Sequence, residues 1–549
     1  MKWWGWGEEH ISFTHDDKPD LAPFVRKHIG IDFYSGGASM VDLESIDLPA
    51  TRLSAGLRAE LVTAVGEAGV RDDRLDRVVH AYGKSMRDLI RVRRGDVGRP
   101  PDVVVYPRNE SDVSKVVRAA LDADAVLIPF GGGTNIAGSL EPERNEGRAV
   151  VSVDMSRLDR VLEIDDSSQL ARIQAGALGP SLEEQLRVKG WTIGHFPDSF
   201  NHSTLGGWVA TRSSGMQSDK YGDIADMTKA VCVVTPSGTL VTRAVPSTST
   251  GPSVREMILG SEGRLGIITE ATVQVHRIPK ERVILAYLFP TFSAGLAAMR
   301  DISESDASPS VTRVSDSFET QFSFATKKKS SRLDQLTSDA LKTYLRKRKG
   351  FDLAQMSLSF IGYEGSPSHV AYQRKIVSKI VNQHGGVSVG KGPGKLYDQK
   401  KFDTPYIRDF LLDRGGLADV SETATSWRQL EPLYDAARDA ALKAFGDIGV
   451  QGWVMCHMSH SYHSGACLYF TFAFKPTDDN TALAEYDAVK SAVQQSFVDN
   501  GGTLSHHHGV GKEHSHWMTE DVSKAGVTMV RALFNGVDPG DNFNPGKIV

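Results

Sequence analysis

Three short stretches of this chain combine backbone freedom with small polar side chains. The first, Pro129-Phe130-Gly131-Gly132-Gly133-Thr134-Asn135, leaves the end of the apolar run 125–128. Consecutive glycines carry no Cβ, so the backbone can take positive φ and aim its N–H groups at phosphate oxygens; Thr134 and Asn135 add side-chain donors. That pattern reads as an anion cradle suited to a pyrophosphate. The second runs through Asp198-Ser199-Phe200-Asn201-His202-Ser203-Thr204 and on to Thr211-Arg212-Ser213-Ser214. Small and hydroxylated residues let backbone approach a flat ring system and supply short donors. In the third, Glu262-Gly263-Arg264-Leu265-Gly266-Ile267-Ile268, glycines break a β-rich run where a ligand could lie. One long ligand held at several points accounts for all three.

A second group of residues has acid–base character. His506-His507-His508 cannot all point one way, so one or two could face a substrate; satisfied structure and a metal site are the other readings of the triplet. Tyr462 follows a histidine-rich run, and with an ordinary pKa near 10 it moves a proton at neutral pH only if neighbours stabilise its anion. Arg408 carries the planar fork of donors that suits a phosphate, but Asp409 and Asp403 beside it offer a plain ion pair instead.

The elements that must position these residues follow from length and pattern. At 549 residues the chain exceeds a single core and should divide into two or three domains. Lys plus Arg number 63 against 68 Asp plus Glu, a net charge of −5, so nothing in the overall field draws nucleic acid. Three cysteines outside any CxxC pattern point to a reducing compartment and no disulfide framework. No run of eighteen apolar residues, no signal peptide and no peroxisomal ending are present, so a cytoplasmic location is expected. Spacing predicts helices over 52–66 and 73–94, making residues 1–98 a mainly helical leader whose Lys2-Trp3-Trp4-Gly5-Trp6-Gly7 should pack onto the body. A β-α-β pattern then enters the glycine loop: strand 103–105, helix 110–122, strand 125–128. Strands at 149–153, 161–164 and 170–174 and a helix at 181–189 follow. No GxGxxG with a downstream acid exists, which disfavours a nicotinamide-binding unit. After Pro279 the composition changes; strands are expected at 283–289, 357–362 and 467–474 and helices at 293–305 and 366–383. Between them, Lys327-Lys328-Lys329, Arg332, Lys342 and Arg346 to Lys349 read as a solvated helical face able to steer a phosphorylated or membrane-borne substrate.

Together the glycine loop, the segment ending Ser203-Thr204-Leu205-Gly206-Gly207 and Gly260-Ser261-Glu262-Gly263-Arg264-Leu265-Gly266 resemble the FAD-binding domain of the vanillyl-alcohol-oxidase, or PCMH, type flavoproteins. Within that superfamily the sequence is most similar to the alkyldihydroxyacetonephosphate synthases, from Lys2-Trp3-Trp4-Gly5-Trp6-Gly7 through Tyr462 to the histidine triplet. The resemblance implies an α+β fold with a two-subdomain FAD-binding domain at 99–280, an α+β cap at 281–504, and a segment from 505 to 549 returning to the FAD domain. It implies FAD contacts at 129–135, 198–204, 211–214 and 262–268, with His195 nearby and Arg313 keeping the flavin site in order. With no histidine in 129–140, the flavin should be noncovalent. By the same resemblance Tyr462 and His506 to His508 form the catalytic environment and Arg408 binds the substrate phosphate. The implied reaction exchanges the acyl chain of acyl-dihydroxyacetone phosphate for a long-chain alcohol without net redox change, by a homodimer with peripheral membrane contact. Ala418 to Ser421 and His457 depart from the synthase pattern, which keeps an FAD-linked oxidoreductase of 2-hydroxy acids as the alternative. Those dehydrogenases hold a divalent metal with a glutamate where this chain has His507, so no metal is expected here.

Overall fold

The computed structural model describes residues 2–34, 37, 40–328, 332–400 and 402–549, with the backbone alone at 332–339, 400 and 404. Three sheets frame the molecule. In the first, β1 (Val103–Val105) and β2 (Val126–Phe130) flank β3 (Val150–Asp154) in parallel, and Val70–Arg71 adds an antiparallel edge. These strands read as unbroken apolar runs because a parallel sheet is covered on both faces. Helix Glu110–Asp122, capped by Asn109, lays Val113, Val116 and Val117 on this sheet beside Leu57 and Leu61 of helix Ala55–Val65.

The second sheet is antiparallel, in the order β4 (Val161–Asp165), β5 (Leu170–Gln174), β8 (Ile267–Gln274), β6 (Thr228–Thr235), β7 (Gly238–Val241). Its core takes in Leu182 and Leu186 of helix Gly179–Arg187, Trp208 and Val209 of helix Leu205–Thr211, and Val527 and Phe534 of helix Met518–Val537. The third sheet has seven antiparallel strands: β9 (Glu281–Phe289), β10 (Val311–Ser315), β11 (Ser357–Gly365), β12 (Val387–Gly390), β13 (Leu417–Ser426), β14 (Gly452–Ser461) and β15 (Gly465–Phe474), ordered β12-β9-β11-β10-β14-β15-β13. Along β15 the side chains alternate. Leu468, Phe470, Phe472 and Phe474 join a core with helices Phe292–Ser303, Pro367–Gln383, Leu430–Ile448 and Ala482–Asp499. Tyr469, Thr471 and Ala473 turn to the other face, where a cavity lies.

The helix expected over 73–94 is two, Arg74–Val79 and Met86–Arg93. A contact overrides the helical spacing. Lys84 N donates to Asn135 O at 2.7 Å, and a Cβ on Gly83 would lie 2.2 Å from that carbonyl, so the chain unwinds to touch the glycine loop. Ser85 and Asp88 then restart the helix with a reciprocal capping box. The N-terminal residues distribute themselves over the whole molecule. Leu21, Val25 and Ile29 pack on Phe410, Leu411 and Ala418 of the third sheet's region, whereas Met86, Leu89 and Ile90 enter that sheet's core. Trp6 is buried, and Trp4 O accepts from Arg93 Nε at 2.9 Å, so the tryptophan segment packs onto the body. In the basic stretch Lys329 lies outside the described residues; Lys328 pairs with Asp17 at 2.5 Å and Arg346 to Lys349 close helix Arg332–Lys349.

Candidate active site

One cavity of about 330 Å³ runs between the second and third sheets. One end is polar. It is walled by Pro129 to Asn135, by Asp198, Ser199, Ser203 and Thr204, by Thr211, Ser213 and Ser214, and by Glu262, Gly263, Gly266 and Ile268. The three stretches singled out in the sequence thus meet around one space. The glycines serve a second purpose besides freeing N–H groups. A Cβ on Gly132 would sit 1.7 Å from His202 O, and one on Gly131 2.4 Å from Thr204 Oγ1, so only glycine lets the first loop lie against the second.

Several residues expected at the ligand stand elsewhere. Phe200 is buried against Trp208 and Phe402, Leu265 and Ile267 are core, and Asn201 is exposed. Arg212 is a left-handed helix terminus (φ +54°) paired with Glu256, and His202 reaches Tyr406 Oη at 3.4 Å. Arg264 is a strut: its NH1 donates to Asp541 Oδ1 and Phe543 O, both at 2.8 Å. His195 is buried behind the wall, where its Nε2 meets Ser213 Oγ at 2.8 Å, and burial pushes its pKa down to about 4. It therefore holds a wall residue and does not touch the cavity. Glu262 does line it, while its carboxylate ties down Ser139 Oγ, Val510 N and Gly511 N at 2.6 to 2.8 Å.

Where the polar end meets the third sheet, the histidine triplet is pinned by a residue that sequence reasoning missed. Buried Glu422 accepts the backbone N–H groups of His506, His507 and His508 at 2.6, 3.1 and 3.0 Å and Ser505 Oγ at 2.7 Å. The neighbouring histidines hold its carboxyl well below the usual range against the opposing effect of burial. His507 and His508 line the cavity; His506 does not. Burial pushes His507 down to about 3 and His508 to about 4, so both are neutral imidazoles at neutral pH. Among the described residues, Glu422, Cys467, His506 and His507 bring metal-ligating atoms within 4.8 Å of one another, but Glu422's oxygens already take four donors.

Tyr462 is away from the cavity. Its hydroxyl lies 2.8 Å from Asp223 Oδ2 and 2.6 Å from His506 Nε2, and burial together with Asp223 drives its pKa up, opposite to what an anionic role needs. Tyr469 occupies the cavity wall instead. Its ring stacks 6.0 Å from His507 at 17° and 4.9 Å from His457 at 20°, its hydroxyl has no hydrogen-bond partner among the described residues, and burial and nearby carboxylates drive its pKa up as they do that of Tyr462. The sequence does carry a signal for it: on β15 it leads the small and polar alternates Thr471 and Ala473 opposite four large apolar residues. Arg313 lines a side chamber of about 40 Å³ with His457, His460 and Tyr397, its NH2 2.6 Å from Glu319 Oε1 and 3.1 Å from His457 Nδ1.

Arg408 is on the main wall, in helix Thr404–Leu412. Its NH1 donates to Lys84 O at 2.7 Å, while buried Nε and NH2 have no hydrogen-bond partner among the described residues. Asp409 does not satisfy them. Its Oδ2 accepts Trp6 N at 2.5 Å, leaving Oδ1 3.8 Å from Arg408 NH2. Beyond Arg408 the cavity turns apolar, with Phe24, Val25, Ile29, Phe322, Ile407, Leu411, Ala418, Val420, Met455, Trp453 and Ala473.

A cradle of three stretches facing a cap sheet is the arrangement of a flavoprotein of the FAD-linked oxidase class. Family models agree: residues 101–243 match the FAD binding domain and residues 278–548 the FAD linked oxidases, C-terminal domain. Alkyldihydroxyacetonephosphate synthase of Dictyostelium discoideum is 40% identical over all of this chain and 93% of its own, and that of Trypanosoma brucei brucei 35% identical over all of this chain and 92% of its own. A solved alkyldihydroxyacetonephosphate synthase superposes with a TM-score of 0.86 at 38% identity, covering 99% of this chain and 98% of that one. The chain belongs to the alkyldihydroxyacetonephosphate synthase family, and its cofactor is FAD. The cradle fits that group: backbone N–H groups free of side chains, hydroxyls of Ser199, Ser203 and Thr204, and no histidine in residues 129–140.

Proposed function

We propose that this protein exchanges the acyl chain of acyl-dihydroxyacetone phosphate for a long-chain alcohol on noncovalent FAD. The observation that carries the reading is Arg408, a guanidinium with two nitrogens that have no hydrogen-bond partner among the described residues, set where the polar cradle gives way to an apolar channel. That junction suits a ligand with a phosphate at one end and a hydrocarbon at the other, and does not suit a small hydroxy acid. Bound flavin supplies an electron-rich ring that can take up and return electron density at the substrate carbon without net redox change. The chain's own residues do the rest. Arg408 fixes the phosphate, and the apolar walls hold the hydrocarbon and exclude water. Tyr469 Oη, on the cavity wall between the rings of His457 and His507, is the group that holds or moves the proton at the reacting carbon. Glu422 fixes the three histidines through their backbone, and His506 is held further by Tyr462 Oη and His507 Nδ1, while His507 and His508 face the cavity. The exposed cations at the end of helix Arg332–Lys349 support peripheral contact with an anionic membrane carrying the lipid substrate.

The test is Arg408→Lys, assayed on acyl-dihydroxyacetone phosphate and on the same compound without phosphate. A lysine cannot reproduce the fork, so kcat/KM should fall by about 2–4 kcal/mol, roughly 30- to 1,000-fold, on the phosphorylated substrate alone. Small and equal losses on both, with FAD retained, would leave Arg408 an ion-pair residue and favour the hydroxy-acid oxidoreductase.

A further inference from the structure

The apolar channel has a built-in end. Register across the third sheet arranges the cavity face in rows. Glu422, Tyr469 and His457 form one row; Val420, Thr471 and Met455 the next; Ala418, Ala473 and Trp453 the last. The first row is the chemical one, and the last lies four residues further along each strand, about 13 Å away at the rise of a β-strand. Two of its three residues are alanine and the third is the largest side chain available, so the floor of the channel is low on one side and blocked on the other.

Helix Leu21–Ile29 closes the block from above. Phe24 meets Trp453 edge-on at 5.0 Å between centroids and His28 lies 4.1 Å away, while Phe318 supports it at 5.3 Å. Trp453 Nε1 is buried without a hydrogen-bond partner among the described residues, so apolar and ring packing holds the indole. A hydrocarbon chain entering from the catalytic row therefore meets Trp453 end-on.

We propose that Trp453, braced by Phe24 and His28, sets the length of hydrocarbon the enzyme accepts, with Ala473 and Ala418 keeping the last stretch open. The inference rests on the channel holding the substrate's chain. Each methylene added before the block gains apolar burial, about fourfold in affinity, and methylenes beyond it gain nothing.

Saturated fatty alcohols of graded length, added to the FAD-loaded protein, read this directly through dissociation constants, with kcat/KM on acyl-dihydroxyacetone phosphates of matching lengths as the second readout. Wild type should tighten stepwise and then level off. Trp453→Ala should move the levelling point to longer chains, and Ala473→Leu, which fills the last row and does not depend on the fate of the indole, should move it to shorter ones. A levelling point unmoved in both variants, with FAD content and thermal unfolding intact, overturns Trp453 as the stop while leaving the synthase reading in place. A wild type indifferent to chain length overturns the synthase reading itself, and the stop with it.

Discussion

Two tyrosines compete for the proton-moving role, and their surroundings separate them. Tyr462 is spoken for by Asp223 and His506 and stands off the cavity; burial and nearby carboxylates oppose the ionisation of both tyrosines, so position and not acidity separates them. Tyr469 stands on the cavity wall between two histidine rings with an unbonded hydroxyl. Tyr469→Phe should retain FAD and lose exchange by about 10²- to 10⁴-fold, the usual weight of a positioned proton donor or acceptor. Tyr462→Phe should cost less than about tenfold, since it acts only through His506; stopped-assay rates of fatty acid release on both variants decide, and the opposite ranking would return the role to Tyr462. The sequence pointed to Tyr462 through its resemblance to the alkyldihydroxyacetonephosphate synthases. Tyr469 was hidden because alternation along a strand shows two faces without showing which one meets a ligand. The glycine loops, by contrast, were legible, since their composition states a backbone requirement directly, although Gly131 and Gly132 turned out to answer a second loop as well as a ligand.

At the level of elements, the contact between the cap sheet and the flavin-binding half passes through Asp219 of helix Ser218–Tyr221. Its carboxylate accepts Thr312 Oγ1 of β10 at 2.5 Å and Ser461 N of β14 at 2.8 Å. Burial pushes its pKa up to about 7 against those hydrogen bonds. A raised acid holds its proton in the folded state after the unfolded chain has lost it, so its contribution to stability is full below about pH 4 and is lost as pH rises towards 7. Asp219→Asn removes this titration and keeps an acceptor for Ser461 N–H. The stability difference between the two proteins should therefore change across pH 4–7, by up to about 1.4 kcal/mol per pH unit, and be flat above pH 7. Denaturant unfolding at a series of pH values measures it; parallel pH profiles would mean Asp219 is ionised in the folded protein. This junction was out of reach from sequence, because β10 and β14 are joined to Asp219 across more than ninety residues of chain and neither was foreseen as a strand.

Across the whole molecule, the last residues close the fold onto the cradle. Leu127 of β2 donates its N–H to Asn542 O at 2.7 Å and accepts Asn544 N at 2.9 Å, so the tail lies beside the strand that launches the glycine loop. Asn544 Nδ2 then donates to Ser139 O at 2.9 Å and to Glu262 O at 2.6 Å, joining the segment that follows the first ligand stretch to the third through one buried side chain. Its φ of +42° is a left-handed conformation that asparagine tolerates better than alanine. Asn544→Ala leaves two buried carbonyls short of a donor, about 1–3 kcal/mol, and adds on the order of 1 kcal/mol of backbone strain. Because Glu262 also holds Val510 and Gly511 just after the histidine triplet, loosening it should be felt at both ends of the cavity. The variant should unfold at lower denaturant concentration and release FAD more readily on gel filtration, while its circular dichroism stays native. Added FAD should restore part of the lost stability, since a ligand that binds only the folded state stabilises it by mass action. If FAD retention is unchanged while stability falls, the tail supports the strand but not the cradle, and the strut between Ser139 and Glu262 is not what holds the flavin loops together.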